Sequence, residues 1–438
     1  LRWPGEAAVV VSVVHVDKDY ERVARLDEEP VAEISSYLLN SGYNDSPARL
    51  EANSKKAFQG AIILGNGFTF DDKSHKKGNS SSLEEMHEII SNNHSNEERI
   101  KPYIGGEEVN GDPIQNHNRY VIDFGLLPLR FPDKDKWRSM TDIEREEHEK
   151  YGFASPDFAG PAVDDWPDLL DVLRRYTKPE RARSKNKEVR AFAWWRFWRA
   201  RPDLAQAIDG LEKVLVTNCG AAPHLAFCLV RGGAVYAHSL VVSQLNSYAA
   251  FACLQSRTHE TWARFFSSSM KDDLRYTPSE CFRTFPFPFE FSEADRLEAL
   301  GETYHDYRAE LMIARNEGLT KTYNRFHDRG QNAPDIGRLR ELHVEMDAAV
   351  LRAYGWDDLA DRARPEFIEQ DADEGKQAKT RLDWPAEFKD EVLARLLALN
   401  AERHRAEIAA GLVAEDGTVI RDEDDLDDDD FDEAMGNA

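Results

Sequence analysis

The period of apolar positions along this 438-residue chain changes several times, and each change marks an element. Ala7 to Val16 (AAVVVSVVHV) is a nearly unbroken β-branched run behind the turn residues Trp3-Pro4-Gly5. That is the pattern of a strand buried on both faces, and it reads as the closing strand of a larger sheet. Phe58 to Phe70 predicts two short strands hinged as a hairpin or tight turn at Gly65-Asn66-Gly67. Ser74 to Asn96 is polar and predicts an exposed loop, interrupted by a short helix around Leu83 to Ile90. Arg119 to Phe124 (RYVIDF) predicts a strand, and the polar, proline-containing stretch Leu127 to Trp166 a long surface insertion. From Lys213 the pattern sharpens: KVLVTN, LAFCLV, the turn Arg231-Gly232-Gly233 and AVYAHSLVVS predict three antiparallel strands. Leu245 to Phe266 has helical spacing.

After Phe289 the three-and-four spacing takes over. Ser292 is the expected N-cap of a helix carrying Leu297, Leu300, Tyr304, Tyr307 and Leu311, with Asp295 three residues on. A second helix carries Leu339, Leu342, Met346, Val350 and Tyr354, and a third runs around Val392 to Ile408. The expected class is α+β: a mixed or antiparallel sheet followed by a helical C-terminal part. The expected division is 1–33 as a closing-strand region, 34–290 as the sheet domain and 291–362 as the helical domain. A linker at 363–384, a C-terminal helix at 385–412 and an acidic, disordered tail at 413–438 complete it.

Composition narrows the class. With 41% hydrophobic residues, a mean hydropathy of −0.62 and no apolar run approaching the ~20 residues that cross a bilayer, the expectation is a globular chain without a membrane partner. Four cysteines (Cys219, Cys228, Cys253, Cys281) have neither CxxC spacing nor a disulfide framework, so a reducing cytoplasm is the expected compartment and a zinc site is not expected. The net charge, 56 − 81 = −25, argues against nucleic acid until its distribution is considered. Twelve acids against Arg421 alone place −11 between Gly411 and Ala438. Between Arg174 and Arg201, eleven Lys and Arg against Glu180 and Glu188 give a local +9, interleaved with Trp194, Trp195, Phe197 and Trp198.

Few motifs carry chemistry. Gly65-Asn66-Gly67 lacks the third glycine and the following helix of a dinucleotide loop, and there is no P-loop or Gly-x-Ser-x-Gly elbow. Two Glu-x-Lys strings, Glu374-Gly375-Lys376 and Glu387-Phe388-Lys389, lie in linker or helix-start sequence without an aspartate on a partner strand, and they read as chance spacings rather than a nuclease centre. The basic, tryptophan-rich run has two readings: cations and flat rings for a phosphate backbone and unstacked bases, or an amphipathic helix whose aromatic face packs on the core. Amides and Arg119 cluster ahead of RYVIDF, at Asn110, Asp112, Gln115, Asn116, His117 and Asn118, and such side chains read base edges or simply populate loops.

Several strings together carry a family resemblance. SYLLNSGYND (Ser36 to Asp45), FQGAIILGNGFTFDD (Phe58 to Asp72), PYIGGEEVN (Pro102 to Asn110), RYVIDFG, SSMKDDLRYTPSECFRTFPFP (Ser268 to Pro288) and EGLTKTYNRFHD (Glu317 to Asp328) resemble, collinearly over about Trp3 to Trp356, the C-terminal half of MmeI-like DNA methyltransferases. The resemblance implies a target-recognition domain over roughly Ile34 to Phe289, braced by the helices after Ser292 and preceded by the last strand of an α/β methyltransferase domain supplied in cis or in trans. It implies duplex DNA as partner, S-adenosylmethionine as the cofactor of the complete enzyme, adenine as the methylated base, and restriction-modification or DISARM-type phage defence as the setting, with other defence subunits as further partners. The family's Asn-Pro-Pro-Tyr or Asn-Pro-Pro-Phe motif is absent, as is any Pro-Pro dipeptide, so no catalytic or cofactor-binding residue is assigned in this chain. The expected base readers are Asn110, Asn116, His117 and Arg119. The expected phosphate contacts are Lys185, Lys187, Arg190, Lys271 and Arg275. Tyr276, Phe285 and Phe287 are expected in the core, and Tyr323, Asn324 and His327 either touch DNA or, as preferred, lock the helical domain.

Overall fold

The computed structural model describes residues 14, 23–26, 28–39, 44–267, 269, 270, 273–370 and 380–413. The β-branched N-terminal strand expected over Ala7 to Val16, the acidic tail from 414 onward, Lys271 and the Glu374-Gly375-Lys376 string lie outside the described residues, apart from the exposed Val14.

Two four-stranded sheets organise the chain. The first has the order Phe227–Arg231, Lys213–Asn218, Leu240–Ser243, Ala57–Gln59, with every pair antiparallel. Val214, Leu215 and Val216 are wholly buried, as a continuous apolar run requires of a strand covered on both faces. The second has the order Val235–Tyr236, Ile100–Ile104, Arg119–Ile122, Thr69–Phe70, and only its first pair is parallel.

This topology corrects two expectations. The strands on either side of Gly65-Asn66-Gly67 do not form a hairpin: Ala57–Gln59 belongs to the first sheet and Thr69–Phe70 to the second, with a 3₁₀ turn over Asn66–Phe68 between them. The last predicted strand is likewise split, Val235–Tyr236 joining the second sheet and Leu240–Ser243 the first. The two crossings lie against each other, Ala61 N–H donating to Tyr236 O at 2.8 Å and His238 N–H to Ala61 O at 2.9 Å. Gly60 sits at the contact, where a Cβ would overlap the carbonyl oxygens of Ala237 and Tyr236.

Each sheet has its own core. The first core joins the Lys213–Asn218 sheet to the helices Tyr248–Gln255, Arg257–Phe266, Asp295–Arg315, Pro334–Ala353 and Ala386–Ala409 through Val216, Phe251, Trp262, Phe285, Tyr304 and Met346. Sheet and helical part therefore share one interior across residue 290. The long predicted helix at Leu245 to Phe266 is two helices, because Ser256 is extended (ψ 155°) and its hydroxyl caps the second by accepting from His259 N–H. Ser292 lies in a 3₁₀ turn, Phe291–Glu293, and does not cap the Asp295–Arg315 helix, which starts behind Ala294 without a side-chain cap.

The second core gathers Phe68, Phe70, Val121, Phe124, Trp166, Leu169, Leu173, Trp195 and Phe197. The 127–166 stretch contributes to the interior, since Leu129, Phe131, Trp137 and Trp166 are buried within it. The expected linker contains the antiparallel pair Glu366–Glu369 and Thr380–Asp383, followed by the fully buried Trp384. Among the described residues no helix is long and apolar enough to cross a membrane.

Gly60→Ala is expected to destabilise the chain by more than about 2 kcal/mol, because backbone must move to admit the methyl group. Gly337→Ala, in open space on the Pro334–Ala353 helix, is expected to stabilise by roughly 0.5–1 kcal/mol. Urea denaturation of both variants against the parent checks the pair.

Candidate nucleic-acid interface

A loop ahead of the Arg119–Ile122 strand is closed at its base by an ion pair. Glu108 lies in the helix Gly106–Gly111, accepts from Gly105 N–H at 2.9 Å and receives Arg119 Nε and Nη2, each at 2.7 Å. The Glu108 side chain is 1% exposed, and the Arg119 guanidinium stacks over Tyr103 at 5.0 Å. A buried carboxylate held by a fork of two parallel hydrogen bonds is a strong, directional fastening. Residues 109–118 are thereby a closed loop, pinned further by Gln115, which takes a left-handed φ of 54° and donates from Nε2 to Val109 O at 3.1 Å.

All four expected base readers fall in this loop or its stem. Asn110 is half-buried at the end of the short helix. Asn116 is exposed, and its Oδ1 accepts from His117 N–H at 3.0 Å. His117 packs edge-on against Tyr120 at 5.0 Å, and burial, with the charge of Arg231, pushes its imidazole below the usual range. Arg119 holds the stem. Glu108 and Ile114 belong to the same unit without having been singled out, and the missed signal was the pairing of an acid before the loop with the arginine after it.

Other loops gather beside it. Gly106 N–H donates to Ser239 Oγ at 3.0 Å, tying the short helix to the turn before Leu240–Ser243. Ala222 bridges Leu274, tying the 219–224 loop to the hairpin Ser269–Met270/Asp273–Leu274. His224 meets Asn324 Oδ1 at 2.9 Å and stacks on His327 at 4.9 Å. The helix Leu319–His327 begins at Gly318, where a Cβ would overlap the backbone of Asn110 and Gly111. Its buried face (Leu319, Tyr323, Phe326, His327) locks into the first core, while Thr320, Lys321 and Asn324 are exposed. Arg275 is half-buried beside this hairpin and has partners of its own. Tyr276, Phe285 and Phe287 are buried.

The basic run resolves differently for rings and cations. Trp195, Phe197 and Trp198 are interior and pack on the protein's own core, which corrects the stacking-platform reading for these three rings; Trp194 is half-buried, with Lys178 Nζ 5.2 Å from its ring centroid. Arg181 is buried as well, donating to the carbonyls of Ile63, Leu64 and Ala193, and burial lowers its guanidinium to about 10. Lys185 and Lys187 are exposed at the start of the helix Lys187–Ala191. Arg190 is exposed but donates to Ser184 O at 2.6 Å and Lys185 O at 2.8 Å. The helix that carries Lys187 and Arg190 packs Val189 into a small separate cluster with Ile62, Leu64 and Trp198, on a different element from the closed loop.

A buried polar network joins sheet to helices beneath the loops. Arg257 and Asp347 are 2% and 1% exposed and 2.6 Å apart, and Arg257 also donates to Leu382 O at 3.2 Å. Arg308 donates to Phe227 O at 2.6 Å and Tyr323 Oη at 3.0 Å, and Gln255 Oε1 accepts from Phe227 N–H at 2.8 Å. The edge strand Phe227–Arg231 is thus fastened by side chains at its first residue. All four cysteines are buried and none is in a disulfide; burial raises Cys228 and Cys281 to about 12. Among the described residues no group of His, Cys, Asp and Glu is arranged to hold a metal ion. Lys389 of the Glu387-Phe388-Lys389 string does have an aspartate at a strand end, Asp383 at 2.9 Å, but that pair sits at the start of the Ala386–Ala409 helix.

Fold and loop cluster together define a mixed-sheet domain fused to a helical bundle, with polar loops gathered beside the first sheet. The family model described as MmeI, target recognition domain, matches residues 174–289, which include the Lys213–Asn218 sheet strands, the 219–224 loop and the 269–274 hairpin. The solved structure of the type IIL restriction-modification enzyme MmeI in complex with DNA is similar at a TM-score of 0.52 and 16% identity, covering 86% of this chain and 39% of that one. This chain therefore spans well under half the length of that protein, and the likeness is one of fold. A search of curated proteins finds no match.

The half-buried His224 and the fully buried His259 make stability pH-dependent. Burial lowers His224 to about 4, with the Asn324 contact opposing, and His259 to about 3. Both stay neutral in the folded chain while the unfolded chain takes up protons below about pH 6.5, so the stability they allow is complete above that pH and is lost as pH falls toward 4. Each is expected to cost about 1 kcal/mol between pH 6.5 and 5.5. Urea midpoints across that interval should fall for the parent and fall less for His224→Asn; an unchanged pH dependence in the variant contradicts the assignment.

Proposed function

We propose that this chain reads the sequence of duplex DNA as the recognition part of an MmeI-like restriction-modification enzyme. The observation that carries the reading is the match of residues 174–289 to a target recognition domain, placed on a fold like that of MmeI with its DNA. In this reading the closed loop at 109–118 supplies base contacts through Asn110, Asn116 and His117, with Arg119 holding the loop in place. Lys185, Lys187, Arg190, Lys271 and Arg275 neutralise phosphates, which position the protein without specifying sequence. The complete enzyme transfers a methyl group from S-adenosylmethionine to adenine, with the cofactor and the transfer motif supplied by a methyltransferase domain in cis or in trans. A phage-defence setting and a cytoplasmic location accompany that reading.

The expected outcome of a duplex titration at two salt concentrations is binding that weakens linearly in log–log form, with a slope of about −0.9 per phosphate neutralised. The double variant Lys185→Glu, Lys187→Glu should weaken all duplexes alike and flatten that slope. Asn116→Ala should instead change which sequence is preferred, with discrimination at one position falling by ~1–3 kcal/mol. Salt-insensitive or absent binding would favour a protein-interaction module in its place.

A further inference from the structure

Ile114 stands at the tip of the loop that Glu108 and Arg119 close, and it is 62% exposed. Exposure alone means little, since single apolar residues are common on protein surfaces. What separates Ile114 is how firmly it is presented. Its own N–H donates to Asp112 Oδ1 at 2.8 Å, the next residue is held left-handed, and the helix before it abuts Gly318 with no room for a side chain. A β-branched side chain on such a backbone has few rotamers left, so it offers a fixed apolar surface at little further cost in entropy.

Its neighbours are hydrogen-bonding groups. Asn116 and Asn118 are exposed on the same loop, and exposed Arg231 lies close enough to His117 for its charge to disfavour protonation there. An apolar tip followed on the same loop by two exposed amides, with a cation near His117, complements a thymine in the major groove, whose edge presents a C5 methyl beside a carbonyl acceptor and lies near a phosphate. Ile143, at 78% exposed, offers the contrast: it stands on the helix Asp142–Lys150 among Glu144, Glu146, Glu147 and Glu149, a surface that repels phosphates.

We propose that Ile114 is a specificity-determining residue that reads a thymine through its C5 methyl group. The inference rests on the DNA-recognition reading above and adds one chemical contact to it.

The test selects binders of the full chain from two randomised duplex pools, one built with thymine and one with uracil, which lacks only the methyl. The parent chain should enrich a motif containing thymine at a position where the uracil pool shows a preference weakened by roughly fourfold, the loss of one buried methyl. Ile114→Ala should keep the remainder of the motif and show no difference between pools at that position. Equal preference of the parent in both pools, or methyl sensitivity retained in Ile114→Ala, overturns the assignment of Ile114 while leaving DNA recognition standing. Failure of the parent to enrich any motif from the thymine pool overturns the recognition reading itself, and the proposal with it.

Discussion

Two arginines buried where the first sheet meets the helices constrain the rest of the molecule. A charge taken out of water costs several kcal/mol unless its hydrogen bonds are nearly all made. Arg257 meets that condition through Asp347 and the Leu382 carbonyl, and Arg308 through the Phe227 carbonyl, Tyr323 and Gln255. The partners come from the sheet edge, three helices and the Thr380–Asp383 strand, so none of these elements can shift without stranding a buried cation. That network makes sheet and helical bundle one body.

Rigidity of that body is what gives the loops above it a fixed geometry. The Leu319–His327 helix is anchored through Tyr323 and His327, and its start supports the end of the Gly106–Gly111 helix at Asn110. The Glu108–Arg119 pair then closes the loop that this support orients. A side chain can discriminate bases only if its position is set before the DNA arrives, because ordering a floppy loop on binding consumes the free energy that distinguishes one base from another. The chain of fastenings from Arg308 to Tyr323 to Gly318 to Glu108 is thus the structural link between core packing and proposed readout.

How much of this was legible in the sequence depended on whether a feature was local. The Lys213–Asn218 strand, the Phe227–Arg231 strand and the helix with Leu297, Tyr304 and Leu311 announce themselves by period. The sharing of strands between two sheets does not, because Gly60 looks like any other glycine until Ala237 is brought against it. The two readings of the tryptophan run could not be separated by composition: whether Trp195 and Trp198 face solvent or core depends on what the second sheet leaves uncovered. The cluster at Asn110, Asn116, His117 and Arg119 was visible as a run of polar residues, but the division of labour within it was not. Arg119 looks like a base reader in isolation, and only the fold shows Glu108 eleven residues earlier taking both of its parallel donors.

The central claim is that this chain distinguishes one duplex sequence from others. The most direct measurement is the ratio of its affinities for the best duplex selected from a random pool and for the unselected pool, taken at a fixed physiological salt concentration. The account predicts a ratio of at least ~10³, the lower end of the range for specific DNA-binding proteins. A ratio near one, with both affinities falling together as salt rises, would show phosphate binding without readout and would contradict it.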